Sequence, residues 1–209
     1  MVTKCRLTRA SPDQRRDGIV AVAAEAFADE GYGATSMSTI AARLGGSKAT
    51  LYKYFPSKEA LFEAVMEQRC QHVMAPLRDM RSTDSDDLEQ WLAVFATRLL
   101  TKLYEPGALD VHRLIHSEGA RFPELADVFF RAGPDAVLAE LAATLARFSA
   151  SGQIACDDVA LAAGQFVGMV RGDRHMRFAV GQMPAPDPAE IARHARHAAR
   201  IFVNGLRQS

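Results

Sequence analysis

Residues 35–62 read "TSMSTIAARLGGSKATLYKYFPSKEALF". Thr35 or Ser36 can cap a helix whose Met37, Ile40, Ala41 and Leu44 share one face. Gly45-Gly46 stops that helix after about two turns. Ser47 caps a second, very short helix, which ends at Phe55-Pro56 because a proline disfavours helix in the residue before it. Ser57 then caps a third. Two short helices around a small-residue turn make a helix-turn-helix, and its second helix has the size that enters a DNA major groove.

The helical period sorts the rings and cations inside this stretch. Leu51 and Phe55 are four apart and belong to the buried face, opposite Ile40, Ala41 and Leu44. Thr50, Lys53 and Tyr54 then point away, with Ser47 and Lys48 at the exposed start and Tyr52 intermediate. Lysines and hydroxyls around a helix start suit phosphate oxygens, since free backbone N–H groups and the helix dipole add there. Thr50 offers a methyl or a hydroxyl to a base edge. Ser57 and Lys58 form a second phosphate clamp at the next helix. With Ser36 and Ser38 of the first helix, the candidate DNA-contacting set is Ser36, Ser38, Ser47, Lys48, Thr50, Tyr52, Lys53, Tyr54 and Lys58.

Upstream, Ser11-Pro12-Asp13-Gln14 is a helix start with a capping box. Ile19, Val22, Ala23, Ala26 and Phe27 follow at helical spacing, and Gly31 ends the run. Downstream, Phe62, Val65, Met66, Cys70 and Val73 mark a helix to about Leu77. "RDMRSTDSDD" (78–87) reads as a surface loop. Further helices are expected around Leu88–Leu99, from about Ala108 to Gly119, and from Pro123 to Phe148 with a split at Gly133-Pro134. Another runs from Asp157 or Asp158 to about Val180, and the last from Pro188 to about Leu206. Hairpin dipeptides and β-branched runs are lacking, so the fold class is all-α.

The formal net charge of the 209 residues is zero. Residues 1–60, however, carry nine Lys/Arg against six Asp/Glu, a net of +3, and the remainder carries −3. A basic head on an acidic body fits an anionic partner at one end. Cys5, Cys70 and Cys156 are odd in number and far apart, which suits a reducing cytoplasm and argues against a structural metal. No signal peptide and no membrane span is expected. No nucleophile–base motif or Gly-rich phosphate loop appears, so the chain does not read as an enzyme, and no cofactor is implied.

The opening stretch resembles the DNA-binding domain of TetR-type transcriptional regulators. Ile40, Ala41, Gly45, Ser47, Leu51, Tyr52, Tyr54, Phe55, Lys58 and Leu61 fit the family pattern, and the likeness covers residues 13–65. Gly46 departs from it, since the family more often has Val there. "RLIHSEGARFPELADVFFRAGP" and "AAGQFVGMVRGDRHMRF" are similar to the AefR-like branch. The resemblance implies a helix-turn-helix domain over 1–57 and a helical ligand-binding and dimerisation domain over 58–209. It further implies a homodimer paired through the last two helices on a pseudo-palindromic double-stranded DNA operator. A small-molecule effector, unidentified here, releases such a repressor, and any ligand that does so must prefer the released state.

Small residues independently offer a dimer surface: Ala163, Gly164, Val167 and Gly168 on one helix, Ile191, Ala195, Ala198 and Phe202 on the last. Met66, Cys70, Phe95, Leu99, Leu103, Phe129, Phe166, Met169 and Val170 are the apolar candidates for an effector pocket. His112 and His116, four apart, permit a competing reading as a metal-dependent enzyme, although no third ligand is evident. An effector-binding dimer that activates, or a dimeric scaffold that has lost DNA binding, completes the alternatives.

Overall fold

The structure, a computed structural model, describes residues 11–82 and 86–206. The N-terminal Lys4, Cys5, Arg6 and Arg9 lie outside the described residues, as do residues 83–85 of the expected loop. Among the described residues there is no strand, and every expected helix is present. No described helix is long and apolar enough to cross a membrane.

Two units divide the chain: residues up to 68 together with 114–128, and residues 69–113 together with 129 onwards. This differs from a boundary at 57/58. The first long helix after the recognition stretch is shared between the units, and a segment 114–128 from the middle of the chain belongs with the head. Local sequence pattern carries no sign of that return.

In the first unit, α1 (Pro12–Glu30) starts on the expected capping box: Gln14 N–H donates to Ser11 Oγ at 3.2 Å, and Ser11 N–H donates to Gln14 Oε1 at 2.9 Å. Gly31 ends it at φ 80°, a conformation that favours glycine. Ser36, not Thr35, caps α2 (Met37–Leu44). The Thr35 hydroxyl is buried instead and donates to Gly31 O at 2.7 Å. Gly45 closes α2 in the left-handed region at φ 65°. Ser47 caps α3 (Lys48–Tyr54), and Phe55, extended before Pro56, ends it. Phe27, Tyr32, Phe62 and Phe122 form a ring cluster, with Tyr32 within 5.2–5.5 Å of the other three. Phe27, Phe62 and Tyr32 are fully buried, which stabilises the unit by roughly 1.5–3 kcal/mol for each such side chain.

α4 (Lys58–Arg78) carries the chain out of the first unit and into the second. A 3-10 turn, Asp79–Ser82, follows, so the first half of the expected loop is a helical turn. α5 (Leu88–Leu103), α6 (Pro106–Glu118), α7 (Pro123–Ala132), α8 (Pro134–Ala150), α9 (Val159–Ala179) and α10 (Pro188–Leu206) complete the chain. The core of the second unit runs through α5, α8, α9 and α10, with α10 packed chiefly on α5. Trp91 stacks on Phe95 at 5.1 Å, and Phe166 meets Phe202 at 5.0 Å. The glycine at the split between α7 and α8 has a packing reason: a Cβ at Gly133 would lie 2.8 Å from Cys70 Sγ. α9 is not the continuous helix expected from its pattern. Gly172, at φ 52° and ψ −166°, breaks it, a backbone that other residues rarely adopt.

Candidate nucleic-acid interface

α3 presents two faces. Leu51 and the cap residue Phe55 are buried, as their spacing predicts. Ser47, Lys48, Thr50, Tyr52 and Lys53 are exposed, and so are Ser36 and Ser38 of α2. Ser47 Oγ accepts from the Thr50 N–H at 3.2 Å and bonds the Thr50 hydroxyl at 2.9 Å. Ser36 repeats the arrangement with Thr39 at 3.1 and 3.0 Å. The hydroxyls of Ser36, Ser47 and Thr50 are thus oriented before any ligand arrives. Lys48 Nζ lies 5.8 Å from the Tyr52 ring centroid, so cation and ring act from one patch.

Two expected contacts are placed differently. Tyr52, with 44% of its surface exposed, is the outward ring, whereas Tyr54 is half-buried. On so short a helix the period leaves an uncertainty of one position in which ring lies over the core. Lys58, expected as a phosphate clamp, turns inward: its Nζ donates to Tyr32 O at 2.9 Å and Thr35 O at 3.1 Å, and lies 4.1 Å from the centroid of the Tyr32 ring. Lys58 therefore holds the turn between α1 and α2 through two carbonyls.

Other polar contacts fix the unit and have no counterpart in the sequence expectations. Arg43 on α2 bridges Asp29 at 2.7 Å and Glu30 at 2.6 Å at the end of α1. Arg16 stacks over Phe55 at 5.2 Å, which puts an exposed guanidinium beside the end of α3. Tyr32 donates to Glu59 at 3.2 Å. Burial, then the Glu59 charge, pushes the Tyr32 hydroxyl well above the usual phenol range. Backbone N–H and Ser57 hydrogen bonds hold the Glu59 carboxyl below its ordinary value. Charge spacing along the chain contained these residues, but which charge meets which depends on helices meeting across the unit.

In the second unit the expected dimer residues sort against the sequence reading. Ala163, Ile191, Ala195, Ala198 and Phe202 are buried in the core of the single chain, and Val167 is half-buried against it. The small residues of α10 allow its close approach to α5, so they are already used. Gly164 and Gly168 are exposed, in company with Leu161 (58%), Met169 (38%) and Met176 (56%). Of the expected pocket residues, Phe95, Leu99, Leu103, Phe166 and Val170 lie together in the core cluster, and Cys70 and Phe129 are buried in the same unit. Met169 faces outward, and Met66 belongs to the first unit. A surface groove of about 610 Å³ is lined by Asp87, Gln90, Val94, Thr97 and Arg98 of α5 and its cap, and by Arg196 of α10; none is an expected ligand residue.

His112 is buried, but its neighbour is His175, ring to ring at 5.1 Å, and Phe129 at 5.8 Å. His116, one turn further along α6, is exposed and belongs to the first unit. Tyr104 lies 5.8 Å from His175 and 5.0 Å from Phe178, which gathers imidazoles and aromatic rings in one place. Among the described residues no three His, Cys, Asp or Glu side chains gather to hold a metal ion.

The chain has counterparts among known proteins. The model of the bacterial regulatory proteins of the tetR family matches residues 19–65, and that of the AefR-like transcriptional repressor C-terminal domain matches residues 90–205. The transcriptional activator FasR of Mycolicibacterium smegmatis is 35% identical over 85 residues, which are 41% of this chain and 39% of that protein. The regulator RutR of Escherichia coli K12 is 39% identical over 67 residues, 32% of each chain. The matches thus span about two fifths or less of these curated relatives. Solved structures match at greater length. A TetR-family regulator from Mesorhizobium loti superposes with a TM-score of 0.80 at 28% identity, over 95% of this chain and 100% of that one. The flavonoid-responsive regulator FrrA gives 0.77 at 32% identity, over 93% and 98%. The chain belongs to the TetR family of transcriptional regulators, in the branch that carries an AefR-like C-terminal domain.

Proposed function

We propose that this chain is a cytoplasmic, homodimeric repressor that binds a pseudo-palindromic DNA operator and leaves it when a small molecule binds the second unit. The single observation that carries DNA binding is the exposed row Ser47, Lys48, Thr50, Tyr52 and Lys53 on a helix anchored from behind by Leu51 and Phe55. The start of α3 enters the major groove, and Lys48 and Lys53 meet phosphates on either side. The two α3 helices of a dimer then sit about 34–36 Å apart, one turn of duplex. Footprinting beside the chain's own gene, with a salt series, tests this reading. Protection of two half-sites one turn apart is expected, and salt-independent or absent binding would sink it.

The exposed apolar residues of α9, Leu161, Met169 and Met176 with Gly164 and Gly168, are the dimer surface we infer. A monomer by sedimentation at micromolar concentration would remove that assignment. For the effector, the buried group of His112, His175, Tyr104 and Phe129 offers polar atoms among rings, the kind of lining that orients an aromatic ligand. FrrA's flavonoid response makes a flavonoid the first class to test, by thermal shift and by loss of DNA binding. Activation in place of repression is the second reading, favoured by FasR, and a promoter–reporter assay separates the two.

A further inference from the structure

The motif "RLIHSEGARFPEL" contains Glu118, which none of the roles above uses, and Phe122, so far only a member of the ring cluster. Both belong to the first unit, although residues 69–113, which belong to the second, separate their segment from the rest of it. Glu118 Oε2 accepts from the Gly33 backbone N–H at 3.3 Å. Its other oxygen lies against Gly31, where an added Cβ would come within 2.7 Å of it. Phe122 meets the Tyr32 ring at 5.3 Å, and a Cβ at Gly33 would touch both Glu118 Oε2 and the Phe122 ring at 3.3 Å. The sequence Gly31-Tyr32-Gly33 is therefore a cradle: two missing side chains admit a carboxylate and a ring, with a tyrosine between them. The backbone N–H groups of Arg121 and Phe122 both donate to Glu118 O at 2.9 Å, so one tight turn presents carboxylate and ring together.

The cradle is the turn that leads into α2, and it is gripped from two sides. Lys58 takes its carbonyls at Tyr32 and Thr35, and Glu118 takes its N–H at Gly33. A cation on acceptors and an anion on a donor leave the turn little freedom to tilt, and α2 and α3 follow from it directly. We infer that Glu118 and Phe122 are positioning residues for the DNA-reading helices: they fix the α1–α2 turn from the end of α6, a helix that begins in the other unit. This rests on the DNA-binding reading only for its consequence. The positioning itself is a property of the free protein.

The test uses the full chain as wild type, Glu118→Ala, Glu118→Gln and Gly33→Ala. Hydrogen exchange is read across residues 31–55 and, as reference, across α1 and the start of α4. Glu118→Ala is expected to speed exchange of the turn and of α2–α3 by about fivefold, the scale of one lost hydrogen bond, with the reference amides unchanged. Glu118→Gln keeps a carbonyl acceptor and restores protection. Gly33→Ala leaves Glu118 in the chain but displaces it, and reproduces the alanine result. Binding to a duplex spanning the promoter beside the chain's own gene should weaken in Glu118→Ala with an unchanged salt slope, because Glu118 meets no phosphate. Unaltered exchange over 31–55 in both Glu118→Ala and Gly33→Ala overturns the inference, and so does a rise spread evenly over the whole unit. Wild type that fails to bind any duplex refutes the DNA reading alone, since the exchange data still decide the positioning.

Discussion

The head and the body of this chain are specified by different kinds of residue. In the first unit, polar side chains close turns and caps: Ser11, Ser36, Ser47, Arg43, Lys58 and Glu118 each reach backbone or an opposite charge. In the second unit, long apolar stripes pack on each other, and most of the residues that looked available are consumed by that packing. A cap or a turn signal is local, so it specifies its partner within a few residues. An apolar stripe specifies only that something covers it.

The strongest way to break this contrast is core truncation. Phe62→Ala in the head and Phe95→Ala in the body should each cost about 3–5 kcal/mol, read as urea midpoints. Each ring is fully buried, Phe62 against Phe27 and Tyr32, and Phe95 against Trp91. A loss under about 1 kcal/mol at either site would mean that its core is not closed as described. Next comes Lys58→Ala, which removes a charge-assisted pair of hydrogen bonds and should lower stability by about 1.5–3 kcal/mol. The salt slope of DNA binding should stay as in wild type; a slope reduced by about one would restore the phosphate role.

Lys48→Ala sharpens the same distinction from the other side. Its stability should change by no more than about 0.5 kcal/mol, while the salt slope falls by about one. Gly46→Ala should stabilise the chain by about 0.4–1 kcal/mol, since its φ lies outside the left-handed region and an added Cβ meets nothing within 4 Å. A destabilised variant in thermal unfolding would show that the turn needs glycine after all.

The smallest effect is expected from a surface cluster of the body. Glu105 bonds Lys102 at 2.8 Å and His72 at 2.7 Å. The Lys102 hydrogen bond leads in holding its carboxyl below the ordinary range. Its folded value is depressed, so the stability it adds is present above the unfolded value near 4 and disappears as pH falls through the folded one. The pair is exposed, so the contribution stays within about 1 kcal/mol and weakens with salt. Glu105→Gln should flatten that part of the pH–stability curve, and an identical curve would remove the assignment.

Legibility followed the range of the interactions. The helices, their caps at Ser11 and Ser47, and the buried pair Leu51 and Phe55 follow from spacing of three or four residues, whereas Ser36 over Thr35 and Asp158 over Asp157 were choices the structure made. Tyr52 and Tyr54 exchanged places because one position on a two-turn helix rotates a side chain by about 100°. The Gly172 break was hidden in a helical pattern, because glycine is compatible with helix as well as with the conformation it adopts here.

By itself, the sequence determined an all-helical chain with a helix-turn-helix head and a basic face on a seven-residue helix. Those properties are set by neighbours along the chain. Only the tertiary structure decided that Lys58 turns inward, that α10 spends its small residues on α5, that His112 meets His175, and that residues 114–128 return to hold the Gly31–Gly33 turn. Each of these joins residues far apart in sequence, and such a pairing is fixed by which helices meet, a choice that the periodicity of either helix leaves open.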